Sequence, residues 1–461
     1  MHADLSRIGF HPERGYSAVL AQQGRVQLDS DLNEQVLTQL HQHRTVLTDL
    51  IGKHGGPDQA AGFKIGRMSG RHGLADLSIG GGRYYVDGIL CDAHRPAPQV
   101  GVPHEGEPPV PEPDPPESWT YWDQPDGFRN PEKPGDRLPA ELPYLVYLKV
   151  WERVVTAAEA PELREVALGA ETSARLKVVW QVLALPADQL RVTNADAPVE
   201  AIQDAFDEWA GEQSEKPARL AVRATRPDDA DDPCVLRPDA RYRGPENQLY
   251  RVEIHDGGPA AEATFKWSRE NGSVTFAVED LDGTWASLSS LGGDTKLDLD
   301  VGDRVEFVDT ACTSRREPQP LLRVEELDLP ERRVRLSAEP AVGFRPEFHP
   351  FLRRWDQRES DRLGRPVRGG AIPVDEGRWI PLEDGVEVFF NPTDPQGPSY
   401  RSGDHWVVPA RTAIGDVQWP TDRADRPLLQ PPLGVVEHFA PLAWVASADK
   451  IVDLRLTFGL S

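Results

Sequence analysis

The sequence has few cysteines and no long hydrophobic run, and both absences exclude classes of protein. Its 461 residues include 3 cysteines, Cys91, Cys234 and Cys312. They are odd in number and far apart, so neither a disulfide scaffold nor a CxxC metal site can be built from them. No apolar stretch approaches the length that spans a bilayer, and the opening residues lack the apolar core of a signal peptide. We therefore expect a chain without membrane insertion that is assembled in the cytoplasm.

Positive charge is also scarce. The chain has 51 Lys and Arg residues against 75 Asp and Glu residues, which gives a net charge of −24. Phosphate backbones repel a surface this acidic, so we predict no nucleic-acid partner. The 43 prolines and 39 glycines favour many turns over long helices. At roughly 150 residues per domain, the length predicts about three domains.

Short apolar strands separated by turn residues recur along most of the chain. This pattern predicts a mainly β, multi-domain protein, in which an N-terminal helical anchoring segment precedes antiparallel β-sheet and small-barrel domains with a Pro-rich linker. In chain order we predict an arm and helix for attachment or oligomerisation, a small β unit, the linker, a β domain with an acidic helical insertion, a β domain that includes the small barrel, and a C-terminal β domain. The predicted ranges are 1–60, 61–95, 96–143, 144–246, 247–345 and 346–461.

The linker has the strongest compositional bias in the chain. Residues 96–143 contain 14 prolines, with Glu and Asp between them. Such a stretch is either a semi-rigid extended linker or a loop that lies along the protein surface. Trp119, Tyr121 and Trp122 favour the loop, because aromatic side chains usually pack against something.

Several strands, one barrel and two tight turns are predicted within the β-rich regions. Strands rich in β-branched and aromatic residues are predicted over 144–156, 175–185 and 247–255. Residues 297–336 resemble a small barrel. Asp87-Gly88 and Asn271-Gly272 each lie between apolar runs, and such dipeptides are typical of two-residue hairpins. Residues 196–232 are acidic, with Phe206 and Trp209 at the spacing of a short helix.

One amphipathic helix is predicted near the start of the chain. Ser30 or Asp31 can cap its beginning, and Gly52 marks its end. Apolar residues and one histidine alternate in steps of four and three, which is the spacing of a helix–helix seam. The predicted interface residues of this segment are Arg25, Leu32, Val36, Leu40, His43, Leu47 and Leu50. The seam packs either against its own domain or against symmetry-related copies, and the sequence leaves both open.

The sequence lacks the motifs of several enzyme classes. It has no Gly-x-Ser-x-Gly elbow and no Gly-x4-Gly-Lys phosphate loop. The 12 histidines show no metal-ligand spacing. The cluster of Asp298, Asp300 and Asp303 lacks the glycine position and terminal glutamate of a calcium loop, so we predict a solvated turn there. We predict no catalytic residue, no cofactor and no metal. A glycosidase-like pair of carboxylates needs no local spacing, so a cell-wall hydrolase stays an alternative.

An arginine-rich segment stands out against the acidic background. Residues 353–368 carry the arginines Arg353, Arg354, Arg358, Arg362, Arg365 and Arg368. One interpretation is a solvated loop that its own acidic residues neutralise. The other is a contact surface for acidic neighbours, including copies of this chain, because arginine is enriched in protein interfaces. On that second interpretation, Arg353, Arg354 and Trp355 are interface residues.

Several stretches together resemble a known family. They are Asp4–Arg7 followed by Phe10 and Tyr16, Gln22–Gln35, Trp151–Thr156, Glu165–Gly169, Asn247–His255, Phe265–Gly272 and Ser402–Trp406. The sequence resembles an uncharacterised family found among components of contractile injection systems, which are phage-tail-like particles, and related tail and baseplate proteins. The resemblance is spread over most of the chain, but the proline-rich stretch and the acidic region 196–232 carry no matching motif.

The resemblance implies a non-enzymatic structural part of a contractile particle, placed at or around the baseplate. By analogy with attachment segments of tail proteins, we expect residues 4–52 to anchor the chain. The implied partners are other subunits of the particle and copies of this chain in a symmetric array. Such a particle is assembled in the cytoplasm and acts outside the cell. The alternatives are a fibre-like protein of the same particle that binds a receptor or glycan, and the cell-wall hydrolase.

Overall fold

The computed structural model describes residues 2–68, 70, 74–96, 118–225, 241–292, 296–358, 367–392 and 400–459. Three predicted features lie partly outside these residues. The parts left out are 97–117 of the proline-rich stretch, 226–232 of the acidic region and 359–366 of the arginine-rich segment.

The chain is mainly β in the part that the structure describes, which confirms the predicted fold class. Its first strands are β1 His54–Pro57, β2 Ile65–Met68, β3 Asp76–Ile79, β4 Arg83–Val86, β5 Ile89–Asp92, β6 Trp119–Thr120, β7 Tyr144–Val155, β8 Arg164–Glu165, β9 Ala170–Glu171, β10 Arg175–Pro186 and β11 Leu220–Ala224. The later strands are β12 Gln248–Ile254, β13 Thr264–Ser268, β14 Thr275–Asp282, β15 Trp285–Leu288, β16 Arg304–Val308, β17 Leu321–Asp328, β18 Arg333–Leu336, β19 Phe351–Trp355, β20 Ile372–Pro373, β21 Trp379–Pro381, β22 Val386–Phe390, β23 His405–Arg411, β24 Asp416–Val417, β25 His438–Ser447, β26 Lys450–Asp453 and β27 Thr457–Phe458.

Helices are few in the same described residues. The α-helices there are α1 Asp29–Ile51, α2 Val199–Ser214 and α3 Thr310–Arg315. Single 3-10 turns occur at Pro12–Arg14, Pro134–Asp136, Pro161–Leu163 and Pro346–Phe348. Both predicted helices are present, since α1 and α2 cover the segments where apolar residues have helical spacing.

The chain folds into two compact units, and neither is a continuous stretch of sequence. Unit 1 comprises Met1–Thr38, Arg153–Lys177 and Lys216–Val436, and unit 2 comprises Gln39–Glu152, Val178–Glu215 and Glu437–Ser461. The six predicted segments follow one another along the chain, so their boundaries differ from those of the units. Local patterns predict strands and turns, whereas the units depend on distant pairings, such as that of Val150 in β7 with His438 in β25.

In unit 1, a five-stranded sheet has β12 as its central strand. Its order is β20-β13-β12-β23-β24, and β12 lies antiparallel to β13 and β23. All residues of β12 are buried. Tyr250 and Val252 join an apolar core that also contains residues of the three-stranded sheet β11-β22-β21. Because side chains alternate along a strand, Arg251 and Glu253 lie on the opposite face, where their charges are buried too.

The predicted small barrel is present in unit 1 and is larger than predicted. Six strands close in the order β14-β15-β18-β17-β16-β19, and β19 pairs back with β14. Its core contains the aromatic Phe276 and Phe307 together with small and branched apolar side chains, of which Ala286, Val305, Val324, Val334 and Leu352 are fully buried. The predicted range 297–336 contains β16, β17 and β18, while the other three strands flank it on both sides.

In unit 2, the sheet β10-β7-β25-β26 has two largely buried central strands, β7 and β25. Val146 and Leu148 of β7 belong to one apolar core, and Leu145 and Tyr147 belong to another. The second core also contains Ile202 and Phe206 of α2. The apolar residues on both faces of β7 had predicted this central position, and the structure confirms it. The sheets β27-β1-β4-β5 and β2-β3-β6 complete the described part of this unit.

The described part of the predicted linker, residues 118–143, packs on unit 2, which confirms the loop interpretation for this part. Tyr121 and Leu138 are buried in the core of the unit. The Gln124 side chain donates a hydrogen bond from Nε2 to the carbonyl of Val182 at 3.1 Å, and the Val182 N–H donates to Gln124 Oε1 at 2.7 Å. These two bonds tie the loop to β10.

The Asn271-Gly272 turn forms, but it does not make a hairpin. Asn271 and Gly272 have positive φ angles of 52° and 65°, and the Ser273 N–H donates to the Glu270 carbonyl at 2.9 Å. The strand before the turn, β13, belongs to the five-stranded sheet, and the strand after it, β14, belongs to the barrel. The hairpin prediction is therefore wrong, because a turn signal is local and does not determine which sheet each flanking strand joins.

The predicted Asp87-Gly88 hairpin is confirmed, and it leads to a stability prediction. It joins the antiparallel strands β4 and β5, and Gly88 has a φ of 72°. A Cβ at this position would lie 2.5 Å from the carbonyl oxygen of Arg44. We expect Gly88→Ala to lower the free energy of unfolding by about 1–3 kcal/mol, because strained backbone and a close backbone contact combine. Urea unfolding measures this, with Gly135→Ala as control because nothing lies within 4 Å of its added Cβ. Equal midpoints for the two variants would contradict the expectation.

Candidate interaction surface

Helix α1 begins where the preceding arm, residues 2–28, folds back onto it. The Ser6 hydroxyl and N–H donate to the carboxylate of Asp29 at 2.7 and 2.9 Å. Partial burial raises the pKa of Asp29, but the hydrogen bonds from Ser6 outweigh that effect, and the pKa lies below its ordinary value. The Val19 N–H donates to Gln35 Oε1 at 2.6 Å. Asp29 and Asp31 in the first turn also interact favourably with the positive end of the helix dipole.

The side of α1 that faces the protein is mixed: its fully buried residues are polar, and its half-buried residues include the apolar Leu37, Leu40, Leu47 and Ile51. Ser30 and Thr38 are its buried residues. Further along, Arg44 donates two hydrogen bonds to the carboxylate of Glu152, at 2.9 and 2.6 Å. A surface helix usually buries its apolar stripe and exposes its polar side. Here hydrogen bonds and half-buried apolar residues hold the helix to its own chain, and a second series of apolar residues is left exposed to solvent.

The exposed side of α1 carries a regular series of residues, which we call the outer stripe. It consists of Leu32, Val36, Gln39, His43, Val46 and Leu50. Leu32, Val36 and Val46 are 53–54% exposed, and Leu50 is 78% exposed. The positions advance in alternating steps of four and three, which is the spacing of the contact residues in a left-handed coiled coil. The stripe therefore has the spacing of a helix–helix contact.

The predicted seam and the outer stripe overlap without being identical. Of the predicted residues, Leu32, Val36, His43 and Leu50 lie on the stripe. Leu40 and Leu47 are half-buried on its flank, and Arg25 is exposed in the arm. Gln39 and Val46 were not predicted, although continuing the four–three steps from Leu32 would have found them. The contact of these residues with another chain stays a prediction.

The arm adds more exposed apolar surface beside the helix. Tyr16, Leu20, Val26 and Leu28 are 62%, 83%, 84% and 45% exposed. Single exposed apolar residues are ordinary, but clusters of them mark sites of association. The arm and the outer stripe together form the candidate interaction surface of this chain.

The structure places the first part of the arginine-rich segment inside the protein. Arg353, Arg354 and Trp355 belong to β19, and all three side chains are buried. The Trp355 Nε1–H donates to Glu306 Oε2 at 3.1 Å, and Arg354 forms an ion pair with Asp356. The prediction that these three residues lie on a contact surface is wrong, and so is the alternative of a solvated loop for them. Their strand, β19, closes the barrel. The positive charges of the two arginines suggested an exposed segment, but buried acidic side chains compensate these charges.

One of those acidic partners, Glu306, belongs to an ionic cluster that the sequence interpretation missed. The ionic cluster consists of the buried Arg251, Glu253, Lys266, Glu306 and Arg353 and of His2, whose side chain is 25% exposed. Lys266 Nζ lies 2.7 Å from Glu306 Oε2 and 3.4 Å from Glu253 Oε1. Glu253 Oε2 lies 2.6 Å from Arg251 Nη2 and 2.9 Å from His2 Nε2. The available signal was the pair Arg251 and Glu253, which lie on one face of a strand whose other residues, apart from Gln248, are apolar or aromatic.

The electrostatics of the cluster indicate a structural role. Burial raises the pKa of Glu253, but the charges of Arg251 and Lys266 outweigh it and hold the pKa well below its ordinary value. The pKa of Glu306 is also lowered, because Lys266 outweighs the effect of burial. Glu306 Oε1 accepts a hydrogen bond from the Gln319 N–H at 3.0 Å. Each carboxylate oxygen already has a partner, so the cluster offers no free base to a substrate and instead joins β12, β13 and the barrel.

Two buried histidines beside the cluster predict a loss of stability on acidification. Burial first, and then the positive charges of Arg251 and Lys266, lower the pKa of His405 and His255 respectively. In an unfolded chain histidine titrates near pH 6.5, so below that pH the unfolded state binds protons that the folded state does not. Stability therefore falls as the pH falls, by up to about 1.4 kcal/mol per pH unit for each histidine.

Denaturant unfolding of the full chain between about pH 8 and pH 5 measures this loss. We expect His405→Gln to weaken the dependence of the free energy of unfolding on pH by the contribution of one histidine, because Gln does not titrate. A free energy of unfolding that stays constant down to about pH 5.5 would show that the histidines remain accessible to protons in the folded state.

Glu383 is the described carboxyl group that most resembles a catalytic acid. Burial raises its pKa to about 7. However, Arg269 donates to it from Nε at 3.0 Å and from Nη2 at 2.7 Å, and the Tyr250 hydroxyl donates at 3.1 Å. Both oxygens are therefore occupied. Burial also raises the pKa of Cys91 and Cys312 to about 12, so both thiols stay protonated at neutral pH.

The described residues contain no group of three or more His, Cys, Asp and Glu side chains placed to hold a metal ion.

The predicted solvated turn at Asp298, Asp300 and Asp303 needs one correction, because Asp303 is buried. Asp303 accepts hydrogen bonds from the Asp300 N–H at 2.9 Å and from Arg358 at 2.6 Å. Across the described part of the chain, none of the helices has the length and apolar character needed to traverse a lipid bilayer.

A family model matches the chain over residues 1–226 and 213–446. The protein belongs to DUF6519. This is described as a family of unknown function, and its matched ranges include the arm, α1, the ionic cluster and the barrel. No curated protein and no solved structure matches the chain. Membership of DUF6519 therefore assigns no activity to the chain.

Proposed function

We propose that this DUF6519 protein is a non-enzymatic structural component of a phage-tail-like contractile injection system. In this proposal it is associated with the baseplate and works through protein–protein interfaces, with other subunits and with copies of itself as partners. The observation that carries the proposal is the outer stripe of α1, which exposes apolar residues at the spacing of a helix–helix contact. The resemblance of the sequence to components of such particles supports the same conclusion.

The energetics of the outer stripe favour association. Fully burying a Leu or Val side chain contributes roughly 1.5–3 kcal/mol, and the stripe exposes Leu32, Val36, Val46 and Leu50. Binding also costs rotational and translational freedom, but in a symmetric particle each copy is held by several contacts at once. Gln39 and His43 lie in the middle of the stripe, and polar residues at such positions select the register and number of helices.

The arm supplies a second contact of a different kind. From residue 15 to residue 28 it has no helix or strand, and its side chains are exposed apart from the half-buried Val19. An extended segment with apolar side chains can lie along a neighbouring subunit as a strap. This agrees with the anchoring role that the resemblance implies for residues 4–52.

The interior of the chain suits a part that must resist force. Unit 1 has a closed barrel, which leaves no free strand edge, and the ionic cluster joins this barrel to the five-stranded sheet. Rigid β domains transmit load between interfaces. These features support a building block more than an enzyme with a mobile lid.

Sedimentation of particles from cells that produce both a contractile particle and this chain tests the proposal. A tagged full-length chain is expected to sediment with sheath and tube and to remain through a salt wash. The matched control is the same tagged chain in cells that lack the sheath protein, where it should stay in the supernatant. Purified, intact particles that contain no tagged chain would contradict the proposal.

A further inference from the structure

Unit 1 contains a cavity of about 440 Å³ that is lined by three positive side chains, and we call it the basic pocket. Arg153 comes from β7, and Arg175 and Lys177 come from the beginning of β10. The chain as a whole has a net charge of −24, and the three positive side chains that line this cavity contrast with that acidic background. Apolar side chains of Val155, Leu163 and Leu176 complete much of the wall.

Two polar atoms of the pocket residues are buried without a hydrogen-bond partner in the described part of the chain. They are Arg153 Nε and Thr310 Oγ1. Arg153 Nη1 donates to both oxygens of Glu159, at 2.9 and 2.7 Å, and Glu159 also accepts from the Thr313 hydroxyl at 3.0 Å. The guanidinium group is thereby fixed in orientation while its Nε–H stays unpaired. Buried donors without an acceptor are unfavourable, so an acceptor group bound beside these atoms would remove that cost.

We propose that the basic pocket binds a carboxylate that carries a short apolar group. Arginine recognises carboxylates through paired N–H donors, and the Thr310 hydroxyl adds a third donor. Glu159 and Glu162 also line the pocket, so its three cations leave a net charge of about +1. This charge suits a singly charged carboxylate better than a doubly charged phosphate. The apolar wall accommodates the rest of the ligand.

Calorimetric titration of the full chain with butyrate tests the proposal, and inorganic phosphate serves as the competing anion. We expect saturable binding of butyrate that is tighter than binding of phosphate. Arg175→Ala and Lys177→Ala should each weaken butyrate binding roughly three- to tenfold, because each removes a positive charge from the pocket. The matched control is Arg164→Ala, an exposed arginine that does not line the cavity, and it should bind butyrate like the unmodified chain.

Thr310→Val gives a signature that a purely structural threonine would not give. It removes an unpaired buried hydroxyl and keeps the shape of the side chain, so the ligand-free protein should melt at a higher temperature. The same change should weaken butyrate binding, since the third donor is lost. A variant that melts earlier and binds butyrate unchanged would overturn the proposal, and so would the absence of saturable binding to the unmodified chain.

A second probe distinguishes a free acid from an acidic side chain of a protein partner, which present the same chemistry. The peptide acetyl-Ala-Val-Glu-amide carries one carboxylate on an apolar stem. Tighter binding of this peptide than of butyrate would identify a protein side chain as the ligand, and tighter binding of butyrate would identify a small acid. Either result supports a carboxylate site, whereas failure of both probes contradicts it.

Discussion

Replacing Lys266 with methionine is expected to lower the free energy of unfolding by about 3–5 kcal/mol. The Lys266 side chain is 3% exposed, and its ammonium group lies between Glu306 and Glu253, at 2.7 and 3.4 Å. Methionine fills a similar volume but carries no charge. The two carboxylates would then remain buried without the cation that they share, and an uncompensated buried charge is among the most destabilising changes a single substitution can make.

Denaturant unfolding of the purified full chain measures this effect, and a matched control is available. Lys450 pairs with Asp196 at 2.8 Å, but both side chains are more than half exposed, so Lys450→Met should change stability by less than about 1 kcal/mol. Adding Glu306→Gln to Lys266→Met should recover part of the loss, because one unpaired charge is removed with its partner. Equal effects for the two lysine variants would mean that the cluster is hydrated and does not hold the sheet to the barrel.

Replacing Leu32 and Val46 together with aspartate is expected to remove the chain from the particle while leaving it folded. Both side chains are more than half exposed, so the change disturbs little packing within the chain. At a helix–helix contact, however, each aspartate would be buried without a partner, and the lost apolar burial adds to that cost. We expect more than a tenfold decrease in the amount of chain that sediments with particles, and a melting temperature close to that of the unmodified chain.

The matched control for this variant has the same chemistry at a different place. Leu329 and Ile414 are 62% and 55% exposed and lie outside α1 and the arm, and their replacement with aspartate should leave incorporation unchanged. Leu40 and Leu47 are less suitable targets, because they are half-buried and their substitution would mix loss of folding with loss of assembly. Normal incorporation of the Leu32 and Val46 variant would rule out the outer stripe as an interface.

Local features of this fold were predictable from the sequence, because local chemistry determines them. The end of α1 follows from Gly52, and the turn at Asp87-Gly88 follows from residues that accept a positive φ. The predicted caps Ser30 and Asp31 are wrong, because the helix already begins at Asp29. The strands β7, β10 and β12 were found from their composition. The helix also has an apolar series at Leu40 and Leu47 and another at Leu32 and Val46, and periodicity alone does not determine which series faces solvent.

Features that depend on distant pairings were not predictable in the same way. Asn271-Gly272 predicted a turn correctly but not the separation of its flanking strands into a sheet and a barrel. Arg353 and Arg354 looked like surface residues, because charge in a sequence usually indicates exposure. Their burial depends on partners such as Asp356 and Glu306 that the fold brings close. Only the three-dimensional arrangement shows that these charges are compensated.

Electron microscopy of intact particles, with this chain labelled by a small fused domain, tests the central claim most directly. The proposal predicts extra density at the baseplate end in a number that matches the particle symmetry, and α1 with its outer stripe covered by a helix of another chain. Particles without the label, or an outer stripe that faces solvent in the assembled particle, would contradict it.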